Sequence, residues 1–399
     1  VPLPYATDSA PNRRPIATLT LLAVNVAVTV GLFVGDWNGR WHALDLLMRF
    51  GIVPGQFHPY TLLTYSFFHS GIGHLLLNVF YLWLFGAGVE AAIGAGRFVA
   101  LYLLSAVVGG ALQASITLNL LDPGDAMVPI VGASAACAGL IGIYAVRYYR
   151  ARISFVLLPF RPHVVTVVGA FLTYEIGCGL WGLTQGGAET SVAHWAHIGG
   201  FIFGLSCAQW LKLSDLGQSA YLTEDARQAM DRSVPGAAID RWERLLAREP
   251  QNTQARAELA RAWMLLGDRD QARDQYVLAV IAYLGRSERV AAAKLYAELA
   301  EQGLEVTTLA PGQLYALGNA LEDLELFGPA SEALHRVAVR YSETPEAETA
   351  LLKLISIQIH HLNRRAEARA LLLMHSERYP HSQWRGLAED LRRAAESDR

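Results

Sequence analysis

The sequence predicts an all-α protein in two parts, a bundle of six membrane-crossing helices followed by a soluble domain of repeated helices. Three observations lead there. Six apolar runs of about 20 residues are each long enough to cross a hydrocarbon core of roughly 30 Å; they fall at 16–35, 71–90, 97–118, 131–149, 164–184 and 192–211. Charge is divided just as sharply. Residues 1–212 hold 10 of the 33 Lys and Arg and 8 of the 36 Asp and Glu, leaving 23 and 28 for the remainder. Beyond residue 233, helical runs stop at Glu249-Pro250, Leu266-Gly267, Tyr341, Leu362 and Tyr379-Pro380, where proline or glycine ends a helix or a turn begins.

The expected organisation is a cytoplasmic leader over 1–15, a six-span domain over 16–212, a linker over 213–233 and a helical domain over 234–399. The leader is polar and the first run is longer than a signal-peptide core, so no cleavable signal peptide is expected. Basic residues set the orientation. Arg13 and Arg14 precede the first span, Arg97 follows the second, Arg147, Arg150, Arg152 and Arg161 crowd the fourth-to-fifth connection, and Lys212 closes the sixth. Placing them in the cytoplasm gives an N-in, C-in topology, with Asp122, Asp125 and Glu189 on the opposite face; Arg40 and Arg49 run against the pattern. The first outer loop, about 36–70, carries Trp37, Trp41, Phe50, Phe57 and Tyr60. Such a loop either lies in the interfacial region or folds onto the outer end of the bundle.

In the C-terminal part, Gly328 to Ala333 with Arg340-Tyr341 resembles Arg364 to Ala368 with Arg378-Tyr379-Pro380, and an earlier copy begins at Leu266-Gly267. The 36-residue step from Ala330 to Ala366 is near the helix–turn–helix period of about 34 residues of tetratricopeptide repeats. Such arrays bury a shared core and leave a concave face, so an unidentified protein or peptide partner is expected there. No nucleotide loop, metal cluster or basic stripe occurs in this part, and the net charge of -3 gives no reason to expect nucleic acid as a partner.

Polar groups inside spans are costly and therefore functional by default. His74 and Asn78 are i and i+4 on one face of the second span, Ser134 opens the fourth, and His197 lies near the start of the sixth. In the N-in topology all four fall within about 10–12 Å of the outer surface, at 1.5 Å per residue. They can share one water-filled pocket, which hydrolysis requires. A serine hydroxyl needs an adjacent base, for which His197 is the candidate. Asn78, His74 and the backbone N–H groups at the head of the fourth span are donors for an oxyanion. Gly132 permits the turn before Ser134. Small residues at 196, 200, 204 and 208, and at 135, 138, 139 and 142, let the fourth and sixth helices approach closely in lipid.

These residues resemble the rhomboid family of intramembrane serine proteases. The matching set is His69, His74 to Asn78, Phe85-Gly86, Val89-Glu90, Gly94 to Arg97, Gly132-Ala133-Ser134 and Ala196 to Gly200 with Gly204; Pro2-Leu3-Pro4 and the stretch from Phe50 to Phe68 add to it. The resemblance covers about residues 1–212. It implies a Ser134–His197 dyad without a third acid, and an oxyanion hole of His74, Asn78 and the Ser134 N–H. It also implies helix-packing support from Gly132, Gly200, Gly204 and His69, no cofactor, and transmembrane proteins as substrates, admitted laterally beside the fifth span. Two positions depart from the family's pattern: Ala135 stands where glycine is usual, and Ala138 where an aromatic commonly packs on the base histidine. The rival reading is a catalytically impaired rhomboid-like protein that binds transmembrane helices and acts through its helical domain. A transporter would need paired broken helices and a mid-membrane site, and neither pattern is present.

Several residues receive bland readings. Cys137, Cys178 and Cys207 form no disulfide framework. His69, His74, His194 and His197 carry no zincin spacing, so no metal is expected. Glu175, near the middle of the fifth span, is read as a protonated, hydrogen-bonded carboxyl packed between helices; the alternative is a cavity-facing group that influences gating. Glu90 and Arg97 are read as structural. The absence of a transit-like leader favours a bacterial plasma membrane.

Overall fold

A computed structural model describes residues 4–7, 14–155, 160–184, 192–304 and 308–397. Arg13, Pro2, Leu3 and Glu189, used above for orientation and resemblance, lie outside the described residues. The chain divides into two compact units, 1–218 and 219–399.

The first unit contains α1 (Ile16–Trp37), α2 (Ala43–Phe50), α3 (Thr61–Thr64), α4 (Ile72–Ile93), α5 (Ala95–Leu120), α6 (Ser134–Arg147), α7 (Val164–Thr184) and α8 (His194–Trp210). Four of these, α1, α4, α5 and α7, are long and apolar enough to cross a bilayer. The other two expected spans are shorter helices than the sequence reading gave them. α6 and α8 have 14 and 17 residues, about 21 and 26 Å at 1.5 Å per residue. The apolar runs on which the reading rested include Val131 before α6 and Leu211 after α8, which are not helical.

A short helix in this position has a physical reason. α6 is almost wholly enclosed by its neighbours, with 11 of its 14 residues buried, so none of its length is needed to meet lipid. The extended segment that precedes it must satisfy its backbone polar groups within the protein. It does so: Ile130 N–H donates to Ile52 O at 2.8 Å, Gly132 N–H to Tyr65 O at 3.0 Å, and Ala133 N–H to His69 Nε2 at 3.4 Å. The outward faces of the bundle remain apolar, with Leu19, Trp83, Leu118, Trp181 and Ile202 about half exposed or more.

Much of the outer loop packs against the bundle. Ile52 and Tyr65 are buried, Tyr65 Oη donates to Ala106 O at 2.6 Å, and Phe50 stacks on Phe68 at 5.2 Å. Trp37, Leu44 and Phe57 remain exposed. The chain is also not purely helical. Two short strands, β1 (Pro4–Thr7) and β2 (Ile153–Phe155), pair antiparallel, from Pro4 opposite Phe155 to Thr7 opposite Ile153.

The segment expected as a linker is helix α9 (Leu213–Asp231), and the division between units falls within it. The second unit continues with α10 (Pro235–Arg248), α11 (Thr253–Leu266), α12 (Arg269–Gly285), α13 (Arg289–Glu301), α14 (Pro311–Asp323), α15 (Phe327–Arg340), α16 (Ala347–His360), α17 (Arg365–Arg378) and α18 (Arg385–Glu396). Each helix packs on its successor, and from α10 onward alternate helices start 34 to 42 residues apart. Small residues mark the crossings: Ala272, Ala293, Ala330, Ala333 and Ala368 are fully buried against Leu, Ile and Tyr.

Candidate active site

Ser134 is the first residue of α6, and His197 lies one turn into α8. Their side chains meet, with Nε2 of His197 2.7 Å from Oγ of Ser134. Both are partly accessible, whereas most of the surrounding wall is closed.

Backbone proximity brings them together. A Cβ on Gly200 would lie 2.1 Å from the carbonyl oxygen of Ala135, and one on Gly204 would lie 2.0 Å from that of Gly139. The α6 and α8 backbones therefore touch, which only glycine allows. α5 joins the same contact, since a Cβ on Gly109 would lie 2.3 Å from the carbonyl of Ala196. Ala135, one of the departures noted above, is buried and faces Gly109, so its methyl group fills space that α5 leaves open.

The turn that leads into Ser134 is built around Gly132. Its φ is +118°, a conformation that L side chains rarely adopt, and a Cβ there would meet the imidazole of His74 at 2.6 Å. His74 Nδ1 is 3.2 Å from Ser70 Oγ. Asn78 is buried beside it and donates from Nδ2 to the His74 carbonyl at 3.0 Å. No side chain caps the N-terminus of α6 at Ala133, so the N–H groups of its first turn remain for an incoming anion. His69 supports the turn from behind. It is fully buried, with Nδ1 3.0 Å from Thr29 Oγ1, and its Nε2 accepts from Ala133 N–H, the residue before Ser134.

The imidazole of His197 is supported from α7 rather than from α6. Ala138 is buried and offers only a methyl group. Phe171 approaches His197 with ring centroids 6.4 Å apart and a 30° tilt. One turn further along α7, Oε2 of Glu175 lies 2.7 Å from Nδ1 of His194 and 3.0 Å from Nδ1 of His197. The His194 contact has hydrogen-bond geometry. The His197 contact is close but off the N–H axis, so that enclosed nitrogen has no aligned partner. Glu175 is thus buried and hydrogen-bonded, and it borders the candidate site. Trp195 turns away to pack near Gly179 on α7.

Glu175, His194 and His197 place one oxygen and two nitrogens within 4.8 Å of one another. Around a tetrahedral zinc with bonds of about 2.0–2.1 Å, ligand atoms sit about 3.3 Å apart. The 2.7 Å contact of His194 with Glu175 is shorter than that and suits N–H···O bonding.

Two positioning residues escaped sequence reasoning. Gln113 on α5 accepts through Oε1 from the N–H groups of Trp195 and Ala196 at 3.1 and 3.3 Å, closing the N-terminus of α8. Tyr65 ties the outer loop to both α5 and Gly132. A buried mid-helix Gln in an apolar run was the available signal for the first; nothing local marked the second. Glu90 takes a structural place, as expected: its carboxylate accepts from the N–H groups of Ala17 and Thr18 and from Thr18 Oγ1 at 2.7–3.0 Å, capping α1.

Residues 56–213 match the Rhomboid domain family. The chain is 29% identical over 212 residues to the Rhomboid protease GluP of Bacillus subtilis (strain 168), covering 52% of this chain and 37% of that protein. It is 28% identical over 187 residues to the mitochondrial Rhomboid protein 1 of Saccharomyces cerevisiae, covering 46% and 50%. It is 33% identical over 147 residues to Rhomboid-related protein 1 of Caenorhabditis elegans, covering 36% and 37%. The chain thus spans half or less of the length of these relatives. The similarities support the rhomboid family for the first unit and, together with its apolar helices, an integral membrane protein.

Proposed function

We propose that the first unit is an intramembrane serine endopeptidase that cleaves transmembrane segments of membrane proteins. The observation that carries this reading is the 2.7 Å contact between Ser134 Oγ and His197 Nε2 at the uncapped head of an enclosed helix, with His74 and Asn78 beside it.

The chemistry follows from the atoms present. Ser134 Oγ attacks the scissile carbonyl carbon as its proton passes to His197 Nε2. The negative charge formed on the carbonyl oxygen is met by N–H donors at the head of α6, with Asn78 and His74 reorienting to add theirs. The C–N bond breaks, and His197 gives its proton to the departing amine. Water then attacks the acyl-enzyme, losing a proton to His197, which returns it to Ser134 as the acid product leaves. Hydrolysis needs that water, and the basic residues support an outward-opening site: Arg147 ends α6 at the opposite end from Ser134, so an N-in, C-in arrangement directs Ser134 outward.

For residues 234–399 we read the alternating helices as tetratricopeptide-like, a cytoplasmic platform for a protein or peptide. A bacterial plasma membrane remains the proposed location. The rival, an impaired rhomboid-like binding protein, draws on Ala138. The packing of Phe171 and the approach of Glu175 to His197 favour the active enzyme.

The test is labelling by a fluorophosphonate probe, together with cleavage of a transmembrane substrate in liposomes. Ser134→Ala and His197→Ala are each expected to lower cleavage by about 10³-fold or more and to abolish labelling. Unchanged cleavage in either variant overturns the assignment.

A further inference from the structure

Glu175 belongs to neither the nucleophile, the base nor the oxyanion site, yet it is the one acidic side chain among the described residues placed against His197. It is buried near the middle of α7, in an apolar helix where a carboxyl group is costly. Its Oε2 faces two imidazoles from α8, both through Nδ1. On the far side of His197, Nε2 faces Ser134 Oγ. Ser134, His197 and Glu175 therefore lie in the serine, histidine, acid order, drawn from three different helices.

We propose that Glu175 is a positioning residue for His197: its carboxylate holds the proton on Nδ1, leaves the lone pair of Nε2 directed at Ser134, and stabilises the imidazolium formed during attack. This inference rests on the protease reading. Two features support it. The Nδ1 atom of His197 is enclosed and without an aligned hydrogen-bond partner, and Glu175 Oε2 at 3.0 Å stands within reach of it. Catalytic hydrogen bonds of this kind are often misaligned before substrate binds and tighten in the complex. Second, α6 offers the ring only the methyl group of the buried Ala138, and α7 supplies both Phe171 and Glu175 at i and i+4 on the same face. His194 completes the arrangement, because its aligned 2.7 Å bond fixes the carboxylate between the two rings. The other titratable groups nearby are His74 and Tyr81 on α4 and Tyr174 on α7.

The first measurement is the tautomer of His197, read from its ¹⁵N chemical shifts in the full chain carrying Ser134→Ala. The signals are assigned by difference from a sample that also carries His197→Gln. A proton on Nδ1 in the neutral ring is expected. A proton on Nε2 overturns the proposal, and because no variant at 175 is involved, a folding failure cannot obscure this result. The second measurement is kinetic. Glu175→Gln is expected to lower kcat by about 10²- to 10⁴-fold with KM within about twofold, and Glu175→Asp is expected to recover part of the loss. Removing the carboxylate disfavours the imidazolium, so the acid limb of the pH–rate profile of Glu175→Gln moves to lower pH. Wild-type kcat and an unmoved profile in Glu175→Gln overturn the proposal and leave Glu175 a packing residue. Failure of the protease reading appears differently: Ser134→Ala then cleaves like the wild type, whereas the tautomer still reports on Glu175.

Discussion

Gly132 shows how much of the candidate site depends on one missing atom. It turns the chain at φ +118° and leaves room for the His74 imidazole, 2.6 Å from where a Cβ would stand. Backbone in such a region costs about 1–3 kcal/mol for a residue with a side chain, and the methyl group would also displace His74, to which the proposed mechanism gives an oxyanion contact. Gly132→Ala is therefore expected to lower kcat by at least about tenfold while the fold persists at reduced Tm. Gly71→Ala, at an extended position with open space around it, is the matched control and is expected to behave as wild type. Equal behaviour of the two variants would remove Gly132 from the site. Ser134, His197, His74 and Asn78 were all legible in sequence, because ionisable and amide side chains stand out in apolar runs and because i, i+4 spacing defines a face. The proximity of Glu175 to His197 was not legible, since it depends on how α7 rotates against α8, and no local spacing encodes that rotation.

At the scale of elements, the contact of α6 with α8 sets the distance between Ser134 and His197. It is made from backbone atoms, Gly200 on the Ala135 carbonyl and Gly204 on the Gly139 carbonyl. Gly204 is seven residues from His197, about 10 Å along the helix, and touches none of the reacting groups. A Cβ there nevertheless has to displace a backbone carbonyl 2.0 Å away, so the helices separate. Overpacking of this kind costs about 1–3 kcal/mol, and a shift of about 1 Å in a reacting group can cost about 10²-fold in rate. Gly204→Ala is expected to lower both Tm and the rate of fluorophosphonate labelling. Gly177→Ala on α7, where a methyl group meets open space, is expected to change neither. Labelling of Gly204→Ala at the wild-type rate would show that the contact does not set the Ser134–His197 distance. The small-residue stripe was legible in sequence for the same reason that it matters, since glycine and alanine at fourfold spacing serve close helix contact in lipid. The lengths of α6 and α8 were not. Apolarity reports where a segment can be buried, and enclosure by other helices buries a short helix as well as lipid buries a long one.

Across the whole molecule the two units are held by different means. The first relies on backbone-close helix contacts under an apolar exterior, and the second on interleaved alanines and leucines beneath a charged one. That charged exterior gives the second unit a pH response of its own. Glu298 on α13 accepts from Arg261 Nε at 2.8 Å through Oε1, from a guanidinium NH₂ at 2.8 Å through Oε2, and from Tyr276 Oη at 2.6 Å, thereby joining α11, α12 and α13. Partial burial pushes the Glu298 pKa up, but the hydrogen bonds from Arg261 and Tyr276 and the charge of Arg261 outweigh it, so the carboxyl titrates below its ordinary range. A carboxylate depressed in the folded state contributes stability that is fully present above its unfolded pKa of about 4.3. That stability is lost as pH falls through the lower folded value. Hydrogen bonds to a charged group contribute about 1.5–3 kcal/mol when buried; with the pair partly exposed to solvent, about 1 kcal/mol is expected. Urea unfolding of the full chain, compared between wild type and Glu298→Gln, should show that difference undiminished from pH 8 to about 5 and closing as the pH approaches 3. The comparison cancels every other titrating group, so a difference that persists at pH 3 would mean that Glu298 acts through shape alone, whereas one that closes locates the acid sensitivity of α11 to α13 in a single carboxylate.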